Sequence, residues 1–416
     1  MRSVQAACQL GGAKRVKVET VERLCRKVLG VDPRSLYGEG FDQAWEHRGK
    51  RVNERVQAFD HCFSSPKRVS LLGADGSPEI RRLLAEGRAE ALAVAIGYLE
   101  RHGLGVRRDH NGTDRYRAVS GVVAVAFEHR MSRAGDPNLH THVLVQNAAQ
   151  GPDRRRTALD SDRLYAHLMA ADHLYLAAER AALTQRLGVR WGPVDERSGA
   201  AEIQGLDDRT LIQRFSKRSE QIDHWLDTHG LSGIKASSAA AVATRQPKDY
   251  AESEESVYAR WTAELAEQGV GERRLAEVCS GGRGRPATRT DVDAALDALS
   301  GPDGLTGQVS TFTRTDVVDA LAKRLPVARS AQDALTQVED AADRFLEERA
   351  GRVAHDRRLG VARCSNPSYW PWSATWSTAP PSEPTRAAPP SGRRWSGRSW
   401  TATAAPVRTR RPWSAT

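Results

Sequence analysis

Residues 121–147, GVVAVAFEHRMSRAGDPNLHTHVLVQN, contain two apolar runs joined by a short polar segment. The first run, 121–129, is rich in valine and alanine, and the second, 139–146, combines two histidines and a threonine with a Val-Leu-Val stretch. Both patterns are typical of strands, whereas the Gly-Asp-Pro at 135–137 is typical of a loop. We therefore predict a β-hairpin at the centre of the fold.

Three histidines in this hairpin predict a metal site. Side chains alternate along a strand, so His140 and His142 should share one face. If the two strands pair as neighbours, His129 lies beside them, and the imidazoles converge with coordination positions left open. An open site of this kind suits catalysis. The alternative is that the histidines serve only packing or solubility.

The flanking sequence predicts an alternation of strands and helices. Strands are expected at 56–63 and 190–203, and a further unit at 116–125. Ser77-Pro78 should begin a helix that runs to about His102, and a second helix should occupy 161–187 and end at Gly188. Asp207 or Asp208 should cap a third helix through His229. This irregular alternation around a hairpin predicts an α+β fold with an antiparallel sheet.

The histidine segment resembles the three-histidine motif of the MobF-type conjugative relaxases (TrwC- and TraI-like), which are HUH endonucleases. Residues 56–71, VQAFDHCFSSPKRVSL, are similar to the Asp-containing strand and Ser-Pro-Lys turn of that family. Residues 215–225, FSKRSEQIDHW, resemble its Phe-Ser-x-Arg-Ser helix, and 244–248 resemble its Thr-Arg-x-x-Lys stretch. The motifs follow the family's order across roughly 50–275, which is more specific than any one of them.

The resemblance implies a domain organisation. An incomplete N-terminal segment would occupy 1–50, and the relaxase catalytic domain, with the antiparallel-sheet palm and flanking helices of HUH relaxases, would occupy 51–275. A helical linker at 276–360 resembles the start of the family's helicase half. Residues 361–416 hold six of the ten tryptophans and no leucine or isoleucine. We expect this tail to be disordered and read out of frame.

The resemblance also implies metal-dependent, site- and strand-specific nicking of origin-of-transfer DNA by tyrosine transesterification, as in plasmid mobilisation. His129, His140 and His142 would hold one divalent ion, for which the sequence leaves Mg²⁺, Mn²⁺ and Zn²⁺ open. Asp60 would orient a histidine or accept the tyrosine proton. No nucleotide cofactor is expected, because the Gly-x-x-x-x-Gly-Lys-[Ser/Thr] pattern is missing from the sequence.

The nucleophile is the point at which the chain departs from the family pattern, which places catalytic tyrosines, often paired, near the N-terminus. Tyr37 is the single tyrosine that precedes Asp60, and it is the candidate. We expect that the original start of the protein lies upstream. The alternative is a catalytically inactive fragment that binds metal and single-stranded DNA. An unrelated cupin-type metalloenzyme would require an acid soon after His142, and 143–147 contains none.

Phosphate contacts require cationic side chains with reach, and single-strand binding adds aromatic platforms such as Trp225. The candidate DNA-binding residues are Lys67, Arg130, Arg133, Lys217, Arg218, Arg245 and Lys248. Single-stranded or origin-of-transfer DNA would be the partner, and relaxosome accessory proteins and a coupling protein follow from the same resemblance. The net charge of +10 does not itself indicate DNA binding, because residues 365–416 supply six of those charges.

The cysteine content and the hydropathy of the sequence indicate the cellular compartment that we expect for the protein. The five cysteines are scattered and odd in number, which favours a reducing cytoplasm over a disulfide framework. No apolar run approaches the length of a membrane span, so membrane insertion is not expected.

Overall fold

The computed structural model of the chain describes residues 56–74, 77–110, 113–245, 252–307, 309–356 and 361–365, with four single positions between 22 and 34. Tyr37, Lys248 and residues 366–416 lie outside the described residues.

The described strands are β1 (Ala58–Ser64), β2 (Gly105–His110), β3 (Thr113–Ala118), β4 (Ser120–Met131), β5 (Pro137–Gln150), β6 (Arg156–Thr157), β7 (Trp191–Val194), β8 (Ala201–Ile203), β9 (Gly351–Asp356) and β10 (Val361–Ser365). The described regular helices are α1 (Lys67–Gly73), α2 (Pro78–Tyr98), α3 (Ser161–Leu187), α4 (Arg209–Arg214), α5 (Lys217–Thr228), α6 (Ile234–Ala243), α7 (Glu254–Glu267), α8 (Glu272–Val278), α9 (Arg289–Ser300), α10 (Arg314–Arg324) and α11 (Ala331–Glu348).

The central sheet has the order β1-β5-β4, with the short β6 also paired to β5, and every pairing in it is antiparallel. The predicted hairpin is therefore present as β4 and β5. One face of the sheet, carrying Phe59, Phe63, Val143 and Val145, belongs to the same buried cluster as apolar residues of α2 and α3. The predicted α+β class with an antiparallel sheet is confirmed.

The two long helices begin and end where local sequence signals predicted. The Ser77 side chain accepts a hydrogen bond from the Ile80 amide at the start of α2, whose last turn continues as a π-helical turn to Gly103. Asp160 caps α3, and Gly188 ends it in the left-handed conformation at φ 66°. Such caps satisfy backbone groups that the helix ends leave unpaired.

The predicted helix through His229 is interrupted, which corrects our interpretation of a single element. α4 ends at Arg214, Phe215 is fully buried, and α5 starts again at Lys217. The Asp136 carboxylate accepts a hydrogen bond from the Arg218 amide at 3.1 Å, at the new helix start. A tertiary contact thus stabilises a second N-terminus that the helical periodicity alone does not indicate.

Residues 116–125 do not form one unit, contrary to our prediction. They divide at Val119 between β3, which pairs with β2, and β4, which pairs with β5. Ser120 and Gly121, directly after the break, are residue types typical of turns, and the prediction of one unit passed over this local signal.

The C-terminal helices share a core with the sheet. Leu296, Val318 and Phe345 belong to the same buried cluster as Leu174 of α3, so the predicted boundary at 275/276 does not separate two cores. The tail was predicted to be disordered from 361, and its first five residues instead form β10 against β9. Cys364 is 8% exposed and exchanges backbone hydrogen bonds with Phe312, which anchors this strand.

None of the helices in the described ranges combines the length and the apolar composition that crossing a bilayer requires.

Candidate metal centre

Three histidine rings converge on the face of the central sheet that is turned away from α2 and α3. His129 of β4 lies directly opposite His140 of β5, and His142 is two residues further along the same strand. The ring centroids are 5.0 Å apart for His129 and His140, 5.1 Å for His129 and His142, and 5.4 Å for His140 and His142. The structure thus brings together the three histidines that the sequence predicted as metal ligands.

A thiol lies at the same place. Cys62 of β1 is opposite His142 on the other side of β5. One donor atom each from Cys62, His140 and His142 lie within 4.8 Å of one another. The Cys62 side chain reaches solvent, but neighbouring protein atoms partly desolvate its sulfur, which raises the pKa of the thiol. Strand alternation predicts Cys62 on the same face as Asp60, but a scattered cysteine in the sequence indicates no role by itself.

The second nitrogen of two of the rings is held by neighbouring acceptors. His142 Nδ1 lies 2.9 and 3.1 Å from the two carboxylate oxygens of Asp60, and His140 Nδ1 lies 2.8 Å from the carbonyl oxygen of Asn138. These acceptors favour the tautomer in which Nδ1–H donates and Nε2 keeps its lone pair. The arrangement orients two imidazoles as metal ligands, so this donor set fits a transition-metal ion.

The other acids near the hairpin lie away from this face. Glu128 pairs with Thr141, whose side chain is on the helix-covered side of the sheet. Asp136 is 1% exposed at the β4–β5 turn, and burial raises the pKa of its carboxyl group. Asp60 is therefore the acid that the described structure brings to the histidines.

Comparison with known families and structures assigns the chain. The model of the TrwC relaxase family matches residues 3–268. The chain belongs to the TrwC relaxase family. Two relatives are the multifunctional conjugation protein TraI of Escherichia coli, 27% identical over 290 residues, and that of strain K12, 27% identical over 293 residues. Each alignment covers 66% of this chain, and the chain spans only 16% of the length of those relatives.

Solved structures of the conjugative relaxase TrwC are also similar. A metal-free complex with origin-of-transfer DNA is 27% identical, with a TM-score of 0.47 over 59% of this chain and 88% of that chain. A copper-bound complex with the same DNA has equal identity and TM-score, over 59% and 86%. A complex with a 27-mer that comprises the recognition hairpin and the cleavage site covers 59% and 90%, at 27% identity and a TM-score of 0.47.

In this TrwC-family chain, three of the arginines predicted to contact DNA influence one another. The pKa of the Arg218 guanidinium is lowered by desolvation and then by the positive charges of Arg133 and Arg245. Arg218 donates hydrogen bonds to the carbonyl oxygens of Ala241 at 2.6 Å and Thr244 at 3.0 Å, which fixes it between α5 and α6. Arg133 and Arg245 therefore lie near the Arg218 guanidinium, which these hydrogen bonds hold in place.

The two predicted lysines in the described ranges lie beside the hairpin turn. Lys67 Nζ donates to the carbonyl oxygen of Pro137 at 2.9 Å, and desolvation lowers the pKa of its ammonium group. Lys217 Nζ is 3.3 Å from a carboxylate oxygen of Glu264 and 3.9 Å from one of Asp136. Both lysines thus have partners within the protein, and each carries a positive charge that could also attract a phosphate.

Two further cations are engaged in ion pairs. Arg130, which was predicted to contact DNA, pairs with Glu254 at the start of α7, and Arg68 pairs with Asp207. The Arg130–Glu254 pair is exposed, and exposed ion pairs are weak, so this pairing does not remove Arg130 as a candidate for phosphate contact.

The sheet beneath the metal centre rests on a buried polar network that the sequence did not lead us to expect. Arg88 donates from Nε to Ser65 Oγ at 3.1 Å and from Nη2 to Thr141 Oγ1 at 3.0 Å. Ser65 also donates to the buried Glu179, and the Tyr175 hydroxyl donates to the same carboxylate at 3.0 Å. A signal was present, because Arg88 sits one turn after Leu84 on the apolar stripe of α2.

Proposed function

We propose that this chain is a conjugative relaxase domain that binds single-stranded origin-of-transfer DNA on the open face of its sheet and nicks one strand. The observation that carries the proposal is the convergence of His129, His140 and His142 on that face, beside Asp60, within the family-matched residues. The name of the TraI relatives, a conjugation protein, is consistent with it.

The residues of the centre have separable roles in this reaction. A divalent ion held by the imidazoles would draw charge from the non-bridging oxygens of the scissile phosphate. Asp60 faces His142 with both oxygens, so we assign it the positioning of that ring rather than proton abstraction. Arg133, Arg218 and Arg245 would hold the DNA backbone through its phosphates.

The covalent step requires a tyrosine, for which Tyr37 is our candidate. The phenolic oxygen attacks phosphorus, the bond to the 3′ oxygen breaks, and a 5′-phosphotyrosyl link forms. The phenol proton passes to a base, and the released 3′ oxygen takes up a proton to become a hydroxyl. A second candidate function, binding of DNA and metal without nicking, is favoured by the fact that Tyr37 is the single tyrosine before Asp60.

A covalent adduct distinguishes these functions. The full chain, mixed with Mg²⁺, Mn²⁺ or Zn²⁺ and a labelled single-stranded origin-of-transfer oligonucleotide of the element that carries the gene, should form an adduct that survives denaturing electrophoresis. Tyr37→Phe should abolish the adduct, because it removes the attacking oxygen. Tyr165→Phe is the matched control, since Tyr165 is 61% exposed on α3.

The possible results of this experiment distinguish nicking from binding alone. Adduct formation by Tyr37→Phe would contradict the assignment of the nucleophile. Binding of the oligonucleotide without an adduct under any of the three metals would leave the second function, and a failure to bind DNA would contradict both.

Replacing Arg133 or Arg245 by alanine should weaken binding of single-stranded DNA by a similar factor for every sequence, because arginine–phosphate contacts carry no base information. The slope of log K against log salt should fall by roughly 0.7 to 1 for each phosphate that the variant no longer neutralises. Fluorescence anisotropy at several salt concentrations measures both quantities. Arg289→Ala is the control, because Arg289 is 86% exposed on α9 and lies beyond the family-matched residues. An unchanged slope in both test variants would refute this DNA path.

A further inference from the structure

Side chains with potential donor atoms reach the open face of the sheet from both strands that flank β5. His129 comes from β4 on one side, and Cys62 comes from β1 on the other. Cys62 is exposed on the open face, and its Sγ lies 3.7 Å from Ser64 Oγ, within reach of only a weak hydrogen bond. Among the described residues, Cys62, His140 and His142 form a group whose potential donor atoms all lie within 4.8 Å of one another.

We propose that Cys62 is a ligand of this metal centre, and that the resulting cysteine–histidine donor set selects zinc-class ions over Mg²⁺ and Mn²⁺. The inference rests on the proposed metal centre and extends it from three imidazoles to a site that includes a thiolate. It concerns which ion the chain holds and is independent of whether DNA is nicked.

The selectivity follows from the hardness of the donors. Mg²⁺ and Mn²⁺ prefer carboxylate, carbonyl and water oxygens, whereas Zn²⁺ and its neighbours accept imidazole and thiolate. On binding, the Cys62 S–H bond breaks, the sulfur keeps the electron pair and donates it to the ion, and the proton passes to solvent. No oxidant or reductant takes part.

The register makes the contact possible without rearrangement of the backbone. Cys62 and His142 are paired residues of adjacent strands with side chains on one face, and His140 is the next residue of β5 on that face. Side chains of such neighbours meet directly across antiparallel strands. Asp60, two residues before Cys62, holds the His142 ring from the same strand. β1 thus supplies both a ligand and the residue that orients another ligand.

Cobalt(II) provides a test in which thiolate and imidazole ligation give different signals. Titrated with Co²⁺, the full chain should develop visible d–d bands from the occupied site and a near-ultraviolet charge-transfer band from the thiolate–cobalt bond. Cys62→Ser should lose the charge-transfer band and bind Zn²⁺ about tenfold or more weakly. Its affinity for Mn²⁺ should stay within about twofold, because a hydroxyl is not a poorer ligand than a thiol for a hard ion.

The control is Cys279→Ser, because Cys279 is a partly exposed cysteine at the end of α8. This variant should keep both the visible d–d bands and the charge-transfer band. The parent chain could show visible bands, abolished by His140→Ala, but no charge-transfer band. That result would overturn the role of Cys62 and would still support the histidine site. If the chain forms no cobalt complex at all, the metal centre itself fails. A charge-transfer band that persists in Cys62→Ser would also overturn the proposal.

Discussion

Replacing Arg88 by alanine should lower the free energy of unfolding by about 3–5 kcal/mol. Arg88 is 4% exposed and donates two hydrogen bonds inside the core, to Ser65 and Thr141. Its loss leaves two buried hydroxyls without this donor, and the fully buried Glu179 loses one of the two arginines whose charge favours its carboxylate, so that Arg180 remains alone in this role. Urea unfolding, followed by circular dichroism, measures the change in free energy.

The same helix offers the matched control for this experiment. Arg82 has a 58% exposed side chain and an i,i+4 pair with Glu86, so Arg82→Ala should change the stability by about 0.5 kcal/mol or less. A loss below about 1 kcal/mol in Arg88→Ala would show that the buried network contributes little to the fold.

The second large effect concerns the metal. His140→Ala should reduce the affinity for a divalent transition metal by about ten- to a hundredfold. The ring of His140 lies 5.0 Å from that of His129 and 5.4 Å from that of His142, and its Nδ1 is already held by the Asn138 carbonyl. Its removal deletes an oriented ligand. Isothermal titration calorimetry with Zn²⁺ measures the affinity directly.

His224→Ala is the control for nonspecific histidine binding, because His224 is exposed and belongs to helix α5 rather than to a strand of the sheet. An affinity for zinc that does not change in His140→Ala would rule out the proposed centre, together with the Cys62 inference that depends on it. Equal losses in the two variants would indicate scattered surface binding.

Much of the local structure could be predicted because its causes lie within a few residues. Ser77 caps α2, Asp160 caps α3, and Gly188 ends α3 in the left-handed conformation. The placement of His140 and His142 on one face follows from the two-residue period of a strand. In each instance the interacting groups are close neighbours in the chain.

Elements that depend on distant partners were interpreted less well. The interruption between α4 and α5 involves Asp136, which is 82 positions from the Arg218 amide that it accepts from. β10 pairs with β9 and with Phe312, but the composition of the C-terminal residues led us to assign the β10 residues to a disordered tail. Arg218 was expected at a DNA surface, and its guanidinium also joins two helices. No local pattern encodes such contacts.

The sequence by itself determined the α+β class, the family, the hairpin and the three histidines, because strand alternation and ordered motifs are read directly along the chain. Only the tertiary structure decided that β1 lies against β5, since strand pairing depends on how distant segments pack and not on their own patterns. That pairing brings Asp60 to His142 across 82 positions and adds the Cys62 sulfur to the donor set. The sequence therefore indicated the three histidines, and strand packing placed the Cys62 sulfur beside them.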